Sequence, residues 1–451
     1  MVIKKPIVIS TKRKSESSDF EFSKDQVRMT GNNEIDSFRA HAWKVYQDTS
    51  IPTTRDEPWR RTDIRGLKLN SFQLLKENQK SSFSDIPKNL LEPIADGDHG
   101  GQIILYGHEY SQRLDEELSK KGVVFCDLLT AEKQHPELLA KAIGKIVKPE
   151  EGKFSALTGA LAQNGVFLYV PRNVIIDTPL HSLIWGAELD FAQISHIVAY
   201  LEQGASATYV LEFASQTESK GQSLITNNIE IYVGPEANFR FVELQSLGKH
   251  VWNFTHERVQ VDRNGMLDWI FGAIGGHLTK NFAELDLISK GAVGKMSGFY
   301  FTDDNQHLDY DSQQNHLAAN TTSDLLFKGA LVDESRSVWQ GMIYVAPGAD
   351  KTDGYQANRN LLLGKQARAD SIPGLEILAN DVRCTHGATV GKIDAEQIFY
   401  LMARGIDRQD AEKLIVEGFF DPIMQRIPFE GVKHRFQKAI ADKMGSFIVS
   451  Q

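Results

Sequence analysis

The stretch GASATYVLEFASQTESKGQSLITNNIEIYVGPEA, residues 204–237, decides the fold class of this chain. It holds β-branched apolar runs without helical periodicity, and it begins and ends at a glycine turn, GASA at 204 and GPEA at 234. Similar turns start at Gly265 and Gly291, so the successive spacings are 30, 31 and 26 residues. This near-regular period favours stacked coils, that is, a β-helix or solenoid. A β-sandwich also has many short strands and stays open as the alternative.

Strand-like segments of the same character extend over residues 165–390. Each is bounded by Gly, Asn or Asp, and helical periodicity is nearly absent between them. The segments are 166–170, 197–201, 207–213, 229–233, 239–244, 258–261, 267–271, 282–288, 299–301 and 338–345. The pattern therefore predicts an all-β core domain over residues 165–390.

Helical patterns dominate residues 1–160. One apolar stripe follows Asn32 and Asn33 as possible N-caps, and another follows Pro136, which the first turn of a helix tolerates. The stripes are Ile35, Phe38, Ala42 and Val45, and Leu138, Leu139, Ala142, Ile143 and Ile146. Between them, the polar, proline-flanked residues 52–63 contain Trp59, which predicts a structured surface loop anchored by its tryptophan.

Residues 391–451 predict a small C-terminal helical region. Asp394 caps a first helix that ends at Gly405, Asp407 opens a second, and Pro428 precedes a third. The apolar stripes are Ile398, Leu401 and Met402; Ala411, Leu414, Ile415 and Phe419; and Val432, Phe436 and Ile440. Such a small region buries little by itself, so it either packs on the β domain or presents a face to another protein.

Composition excludes several classes of protein. The 451 residues are 41% hydrophobic and 24% charged, as in a globular protein, and the net charge of −9 argues against nucleic acid as the main partner. Two cysteines, Cys126 and Cys384, exclude a disulfide framework and a self-contained four-cysteine cluster. No apolar run is long enough to cross a bilayer. Early acidic residues and the lack of an apolar signal core favour the cytoplasm over an organelle stroma.

Catalytic and metal motifs are largely missing. Residues 387–393, GATVGKI, have only three residues between the glycines and end in Ile393, so they form no triphosphate loop. His307 and His316 lie among acidic and amide residues that predict either a weak cation site or, more simply, a solvated turn. The acids are Asp303, Asp304, Asp309 and Asp311. With Arg336, they are also the basis for an alternative hypothesis, a β-helix enzyme acting on polysaccharide.

Cys384 and His386 are the remaining candidates for chemistry. In a strand, residues i and i+2 point to the same face, so the thiol and the imidazole are expected to emerge together. Both side chains can bind iron, sulfur or zinc, but two ligands do not complete a site, so a partner would have to supply the others. A side chain of Arg383 folded back on the thiol would lower its pKa. A buried cysteine beside a hydrogen-bonded histidine is the equally open structural interpretation.

Several segments together resemble one known family. CTHGATVG at 384–391 is followed by Ile393-Asp394 and by the helix EQIFYLMARGI at 396–406, and this strongly resembles the C-terminal part of the SufB/SufD family of iron–sulfur assembly proteins. EPWRRTD at 57–63 and GVFLYVP at 165–171 resemble the family's N-terminal signature and the entry into its β domain. Gly387-Ala388 after the histidine, the tryptophan loop and the low cysteine count favour the SufD branch. Arg61 departs from the pattern, where an aromatic residue is common.

The resemblance implies a right-handed parallel β-helix with helical ends. It also implies a non-catalytic scaffold that pairs with a SufB-like subunit near residues 384–386 and docks a SufC-like ATPase on residues 394–444. The candidate docking residues are Ile398, Leu401, Leu414, Ile415 and Phe419. By the same resemblance, His386 faces a transient iron–sulfur cluster formed in the complex, with Cys384 nearby, and the isolated chain has no cofactor. A homodimer is possible when the chain is alone. A SufB-like scaffold that holds a cluster alone is the alternative, against which the two cysteines argue.

Overall fold

The computed structural model describes residues 19–75, 86, 99–107, 109–186, 188–218 and 220–450. The expectation about a targeting segment rests largely on residues 1–18, which lie outside the described residues. The chain forms a β-solenoid of about eight turns with helices before and after it, which confirms the mainly β fold class with flanking helices. Among the described residues, none of the helices combines the length and apolar character that a membrane crossing requires.

The N-terminal region contains both helices and short strands. It comprises α1 (Asn33–Asp48), β1 (Gln73–Leu74), β2 (Gly101–Tyr106), β3 (Glu109–Leu114), α2 (Glu116–Lys120), β4 (Val124–Asp127), α3 (Leu128–Gln134), α4 (Pro136–Leu139) and α5 (Lys153–Leu161). Asn32 caps α1 by accepting from the backbone N–H groups of Glu34 and Ile35, as the sequence predicts. The second predicted stripe is helical only up to Leu139, although Ala142, Ile143 and Ile146 are buried as expected.

The solenoid is built from two strands per coil. Its strands are β5 (Asn164–Val170), β6 (Leu180–Trp185), β7 (Phe191–Leu201), β8 (Ser206–Ala214), β9 (Ser223–Val233), β10 (Asn238–Ser246), β11 (Val251–Val261), β12 (Met266–Ala273), β13 (Leu278–Leu287), β14 (Val293–Thr302), β15 (His307–His316), β16 (Thr322–Leu331), β17 (Arg336–Val345), β18 (Thr352–Leu362), β19 (Arg368–Ile377) and β20 (Val382–Gly391). Odd-numbered strands form one sheet and even-numbered strands the other; we call them the odd and the even sheet. Each predicted strand segment falls on one of these strands.

Within each sheet, β5 to β20 run parallel and in register, so equivalent side chains of successive coils stack on one another. The strands β1 to β4 extend the two sheets at the N-terminal end: β2 pairs with β6, β4 with β5 and β1 with β7. The last coil, β19 and β20, is paired only on its inner side, to β17 and β18. We call this side of the molecule the open end.

One corner of each coil needs a left-handed backbone, and this requirement underlies the repeat in the sequence. The positive-φ positions follow one another at spacings of 27 to 32 residues; they are Asn173, Gly204, Glu236, Asn264, Gly291, Asn320 and Lys351. Glycine and asparagine adopt this conformation at least cost. The predicted glycine turns therefore mark the correct corner, but only Gly204 and Gly291 are themselves left-handed there.

The helices cover the outer faces of the two sheets. Apolar residues of α1 and α5, such as Trp43 and Phe154, pack with Phe254 on the odd sheet. Trp59 is buried among the Phe154, Phe254 and Phe282 rings at centroid distances of 5.6 to 5.9 Å, which confirms its role as the anchor of the N-terminal loop. Burial of this aromatic surface holds the N-terminal region on the solenoid.

Three C-terminal helices follow the last coil: α6 (Ala395–Met402), α7 (Arg408–Met424) and α8 (Glu430–Ser450). Asp394 and Asp407 cap the first two, as predicted. Apolar residues of α7 and α8, including Phe420 and Phe436, pack against the even sheet around Phe299. Ion pairs add to this contact: Arg426 with Asp268, Arg435 with Glu212, and Lys443 with Asp303.

The acidic segment around His307 and His316 is not a solvated turn, because it is strand β15. Asp309 and Lys280 are fully buried on the outer face of the odd sheet, and Lys280 Nζ lies 2.9 Å from Asp309 Oδ2. The Thr62 hydroxyl, from the N-terminal loop, bonds to Asp309 and lies 2.9 Å from His307 Nε2. Asp309 therefore fixes the N-terminal loop, and the described residues around it include no group of three His, Cys, Asp or Glu side chains placed to hold a metal ion.

Replacing Lys280 by methionine is expected to lower the free energy of unfolding by about 3 to 5 kcal/mol, because it leaves the Asp309 carboxylate buried without its cation. Urea denaturation measures the change. Lys249→Met is the matched control: Lys249 pairs with Asp303 and Asp304 but is 39% exposed, so its loss should cost less than about 1 kcal/mol. Equal effects of the two substitutions would contradict the assignment of a stabilising buried pair.

The pH dependence of stability offers a second test of this cluster. Burial lowers the pKa of His307 from its usual 6.5 to about 4, against the opposing effect of Asp309. The unfolded chain binds a proton near pH 6.5 that the folded state takes up only near pH 4, so the free energy of unfolding falls as the pH decreases between these values. Between pH 7 and pH 5, we expect the free energy of unfolding of His307→Gln to fall by about 2 kcal/mol less than that of the unchanged protein. Urea denaturation at both pH values measures it. If the free energy of unfolding falls equally in both proteins between these pH values, His307 is protonated in the folded state.

Candidate functional site

Cys384 and His386 lie together in β20, the last strand of the even sheet. In the parallel register, Cys384 stands beside Gly354 and His386 beside Gln356, so both side chains are on the face of the sheet that continues the interior of the solenoid. The next coil, which covers such residues deeper in the solenoid, does not exist here. Cys384 is half-buried and His386 is exposed at the open end.

Gly354 leaves the space that the Cys384 thiol occupies. A methyl group at Gly354 would lie 3.3 Å from Cys384 Sγ and 3.3 Å from Nε2 of the buried His316. His316 is itself held by the hydroxyls of Thr321 and Ser323, at 2.7 and 2.8 Å. The thiol thus packs toward a neutral, hydrogen-bonded imidazole in the interior, while His386, on the same face, is exposed at the open end.

The thiol is not activated by its neighbour in the sequence. Arg383 turns to the outer face of the sheet and pairs with Asp353, with its Nε 3.2 Å from Asp353 Oδ1. Burial raises the pKa of the Cys384 thiol, with a smaller contribution from the charge of Asp353. The expectation that Arg383 lowers this pKa is therefore wrong, and Cys384 is mainly a neutral thiol at physiological pH.

The interior of the solenoid becomes polar just below the site. Deeper coils present Leu325 and Phe327 to the interior, but the coil beneath β20 presents three amides: Gln356, Asn358 and Asn360. Asn360 Nδ2 donates to Asn358 Oδ1 at 2.6 Å, and Gln356 Nε2 donates to the carbonyl oxygens of Gly374 and Gly341. The apolar pattern that identified other strands is absent here, and this amide layer was missed for that reason.

Apolar side chains are exposed around the open end. Leu375 and Ile377 of β19, Leu378 after it, Val390 of β20 and Tyr355 of β18 are between 36% and 51% exposed. The free edges of β19 and β20 carry unpaired backbone donors and acceptors beside them. Exposed edges with apolar side chains are typical of surfaces that pair with another strand.

A second apolar surface lies on the C-terminal helices. It consists of Phe399, Tyr400 and Met402 of α6 and Leu414 of α7, exposed by 73%, 55%, 46% and 47%. We call it the helical patch. Of the docking residues predicted from sequence, only Leu414 belongs to it: Ile398 is buried, and Leu401, Ile415 and Phe419 are partly buried. The predicted stripe of α7 is thus wrong in part, because α7 turns Val416 and Phe420 toward the sheet instead.

Three of the residues considered for a polysaccharide site are buried or ion-paired. Asp309 is fully buried, Asp303 is paired with Lys249 and Lys443, and Arg336 is paired with Asp370. Within the described part of the chain, no three His, Cys, Asp or Glu residues are placed to hold a metal ion. A metal ion bound by His386 and Cys384 would need further ligands from elsewhere, because two side chains do not complete a coordination sphere.

Comparison with known proteins accounts for both the solenoid and its N-terminal region. Residues 184–419 match the family model described as the SUF system FeS cluster assembly, SufBD core domain, and residues 13–181 match the SufBD protein N-terminal region. The chain is 32% identical over 334 residues to the iron–sulfur cluster assembly protein SufD of Bacillus subtilis, covering 73% of this chain and 76% of that protein. It is 31% identical over 320 residues to an iron–sulfur cluster assembly SufBD family protein of Staphylococcus saprophyticus, covering 70% and 68%.

Proposed function

Because this chain belongs to the SufB/SufD family of iron–sulfur cluster assembly proteins and is SufD-like, we propose that it is a non-catalytic scaffold subunit of a SUF assembly complex in the cytoplasm. Its partners in this proposal are a SufB-like subunit and a SufC-like ATPase. One observation carries the proposal. The open end brings an exposed histidine, a thiol, two unpaired strand edges and apolar side chains to the same place.

The SufB-like subunit binds at the open end in this proposal. A second solenoid that pairs its own edges with β19 and β20 would satisfy the free backbone groups and bury Leu378 and Val390. The same contact would enclose His386 between the two chains. The partner is then expected to supply the thiolate ligands that the two cysteines of this chain cannot.

The nascent iron–sulfur cluster is the cargo of this site and not a resident cofactor. The His386 imidazole ligates iron through one ring nitrogen. An imidazole in place of a thiolate raises the potential of a cluster and binds iron less tightly than sulfur does. Such a ligand suits a scaffold that hands its product on. Cys384, protonated and half-buried, is a neighbour of the site and not its principal ligand.

The SufC-like ATPase docks on the helical patch in this proposal. The patch lies on α6 and the exposed side of α7, while the buried sides of α7 and α8 are fixed to the even sheet by apolar contacts and ion pairs. A partner bound there would be mechanically connected to the solenoid. This arrangement agrees with residues 387–393 forming no nucleotide loop, since the nucleotide chemistry then belongs to the partner.

Co-expression tests the proposal. The tagged chain is purified with the SufB-like and SufC-like proteins of the same genome, and bound iron and sulfide are measured under anaerobic conditions. A stable complex that gains iron and sulfide supports the scaffold function. A chain that purifies alone contradicts it. Iron and sulfide held by the isolated chain, whether monomer or homodimer, would favour the alternative of a scaffold that holds a cluster by itself.

A further inference from the structure

Two cationic side chains lie side by side on the outer face of the even sheet. Lys328 of β16 has Phe299 of β14 and Arg359 of β18 as its register partners. Phe299 packs against aromatic rings of α7 and α8, so this row of side chains is on the outer face. Neighbouring strands are about 4.8 Å apart, and like charges at directly opposite positions destabilise a sheet. The fold therefore brings Lys328 and Arg359 together at a cost in stability.

Lys328 is enclosed between the sheet and α7. The residue is only 8% exposed, its ammonium donates to the backbone carbonyl oxygen of Phe419 at 2.7 Å, and it lies 4.9 Å from the centre of the Phe419 ring. The carbonyl and the ring carry no net charge, and the hydrogen bond uses one of the three N–H groups of the ammonium. Burial, together with the nearby charge of Arg359, lowers the pKa of Lys328. The surroundings of this ammonium thus disfavour its charge.

The pair has no acidic counterpart in the described part of the chain, where neither Lys328 nor Arg359 forms an ion pair. Other cations at this face are neutralised, for example Arg426 by Asp268. Buried charges in native proteins are generally paired. The chain as a whole has a surplus of acids, with a net charge of −9, and yet supplies none here. An anionic group from outside the chain would complete the pair.

Arg359 is the accessible member of the pair. It is exposed, and its register partner in β20 is Thr389, which is also exposed. The N–H groups of a guanidinium form a planar fork that matches the two oxygens of a carboxylate. A carboxylate that binds Arg359 from the solvent is therefore brought toward the ammonium of Lys328 on the neighbouring strand.

We infer that Lys328 and Arg359 form a binding site for a carboxylate side chain of the docking ATPase. Lys328 contacts α7, the helix that also carries Leu414 of the helical patch. From the free edge of the even sheet, in contrast, Lys328 is separated by β18 and β20. Of the two proposed partners, the ATPase is therefore the one whose docking surface adjoins this pair. The inference rests on the proposed function in naming the ATPase.

Binding of the purified ATPase to the full-length chain tests the site. Lys328→Met keeps an unbranched side chain on the Phe419 ring but removes the charge. We expect a loss of affinity of about 30-fold, mainly through faster dissociation, because losing one member of a buried, hydrogen-bonded charge pair costs at least this much. Arg359→Gln removes an accessible charge, so it should slow association and weaken the dependence of binding on salt.

The stability of the isolated variant separates this inference from a purely structural role. If Lys328 serves only to hold α7 on the sheet, Lys328→Met lowers the free energy of unfolding and leaves the ATPase affinity unchanged, and that result would overturn the inference. If Lys328 awaits an anion, Lys328→Met loses ATPase affinity with little loss of stability, because the buried ammonium has no counter-charge in the isolated chain. Urea denaturation measures the stability of both proteins.

Arg383→Gln is the matched control for Arg359→Gln. Arg383 is also on the outer face, in β20, and 80% of its side chain is accessible, but it is neutralised by Asp353. This substitution should leave association with the ATPase unchanged. Equal effects of the two substitutions would mean that only the total charge of the chain matters, which contradicts a specific site.

Inorganic phosphate, a free oxyanion, tests the site without the ATPase. Compared with chloride at equal ionic strength, phosphate should raise the unfolding temperature of the isolated unchanged chain, and Lys328→Met should lose this rise. If the unchanged chain shows the rise but does not bind the ATPase, the proposed partner is wrong while the anion site stands. An equal response of both proteins to phosphate, with no difference in ATPase binding, would overturn the inference itself.

Discussion

Replacing His386 by alanine is expected to reduce the iron and sulfide bound by the assembled complex by at least about 100-fold, while the complex itself forms normally. Loss of an outer hydrogen-bond partner already costs 10- to 100-fold in metal affinity, and loss of the ligand itself should cost no less. Assembly should persist, because His386 is exposed and carries little of the apolar surface at the open end. Anaerobic reconstitution followed by iron and sulfide analysis measures the first effect, and size-exclusion chromatography the second.

His41→Ala is the matched control for this experiment. His41 is also exposed, with 54% of its side chain accessible, but it lies on α1, far from the open end along the fold, and pairs with Glu150. This substitution should leave cluster formation unchanged. Cys384→Ala separates the two candidates: because burial raises the pKa of its thiol, we expect a loss of less than about 10-fold. A complex with His386→Ala that accumulates iron and sulfide as the unchanged complex does would show that the histidine is not a ligand.

The parts of the fold that sequence predicts are those in which the interior is apolar. Strands such as β8 and β10 alternate large apolar residues toward the interior, so their pattern is evident. Strand β15 carries Ser312, Gln314 and His316 on its interior face, and its polar composition therefore led to the prediction of a solvated turn. Hydrophobic periodicity therefore does not predict the strands in this last part of the solenoid, because their interior residues are polar.

The site was predicted in its residues but not in its surroundings. The i, i+2 spacing places Cys384 and His386 on one face of β20, as expected. The partners of these two residues come from segments about 30 residues earlier in the sequence, and only the register of β18 and β20 pairs Gln356 with His386. The pattern of residues close in the sequence does not specify this register.

The helical patch shows a different limit of prediction. Apolar residues of α7 occur on more than one face, so the predicted stripe was only one of the faces that the sequence allows to pack inward. Packing on the even sheet selects Val416, Phe420 and Ile423 and leaves Leu414 outside. On α6, Ile398 is buried, whereas Phe399 and Tyr400 are exposed. Which face of a helix is free depends on the sheet beneath it, and that is known only from the tertiary structure.

Replacing Phe399 by aspartate is expected to abolish docking of the SufC-like ATPase, with a loss of affinity of at least about 100-fold. Phe399 is 73% exposed, the largest exposed fraction in the helical patch. Aromatic residues buried at an interface are the side chains whose loss most often costs about 2 kcal/mol or more. A carboxylate in its place adds the cost of burying a charge. Because the side chain is exposed in the isolated chain, the substitution should not change the stability of the fold.

Binding of the purified ATPase to the immobilised chain measures this effect, and Ile175→Asp is the control. Ile175 is also apolar and 57% exposed, but it lies at the N-terminal end of the solenoid, away from α6 and α7. Phe399→Asp should still pair with the SufB-like subunit, because the open end is untouched. If Phe399→Asp no longer binds the ATPase but still pairs with the SufB-like subunit, the two binding surfaces are separate, as the proposal requires. Unchanged ATPase binding by Phe399→Asp, or an equal loss in both variants, would remove the helical patch as the docking site.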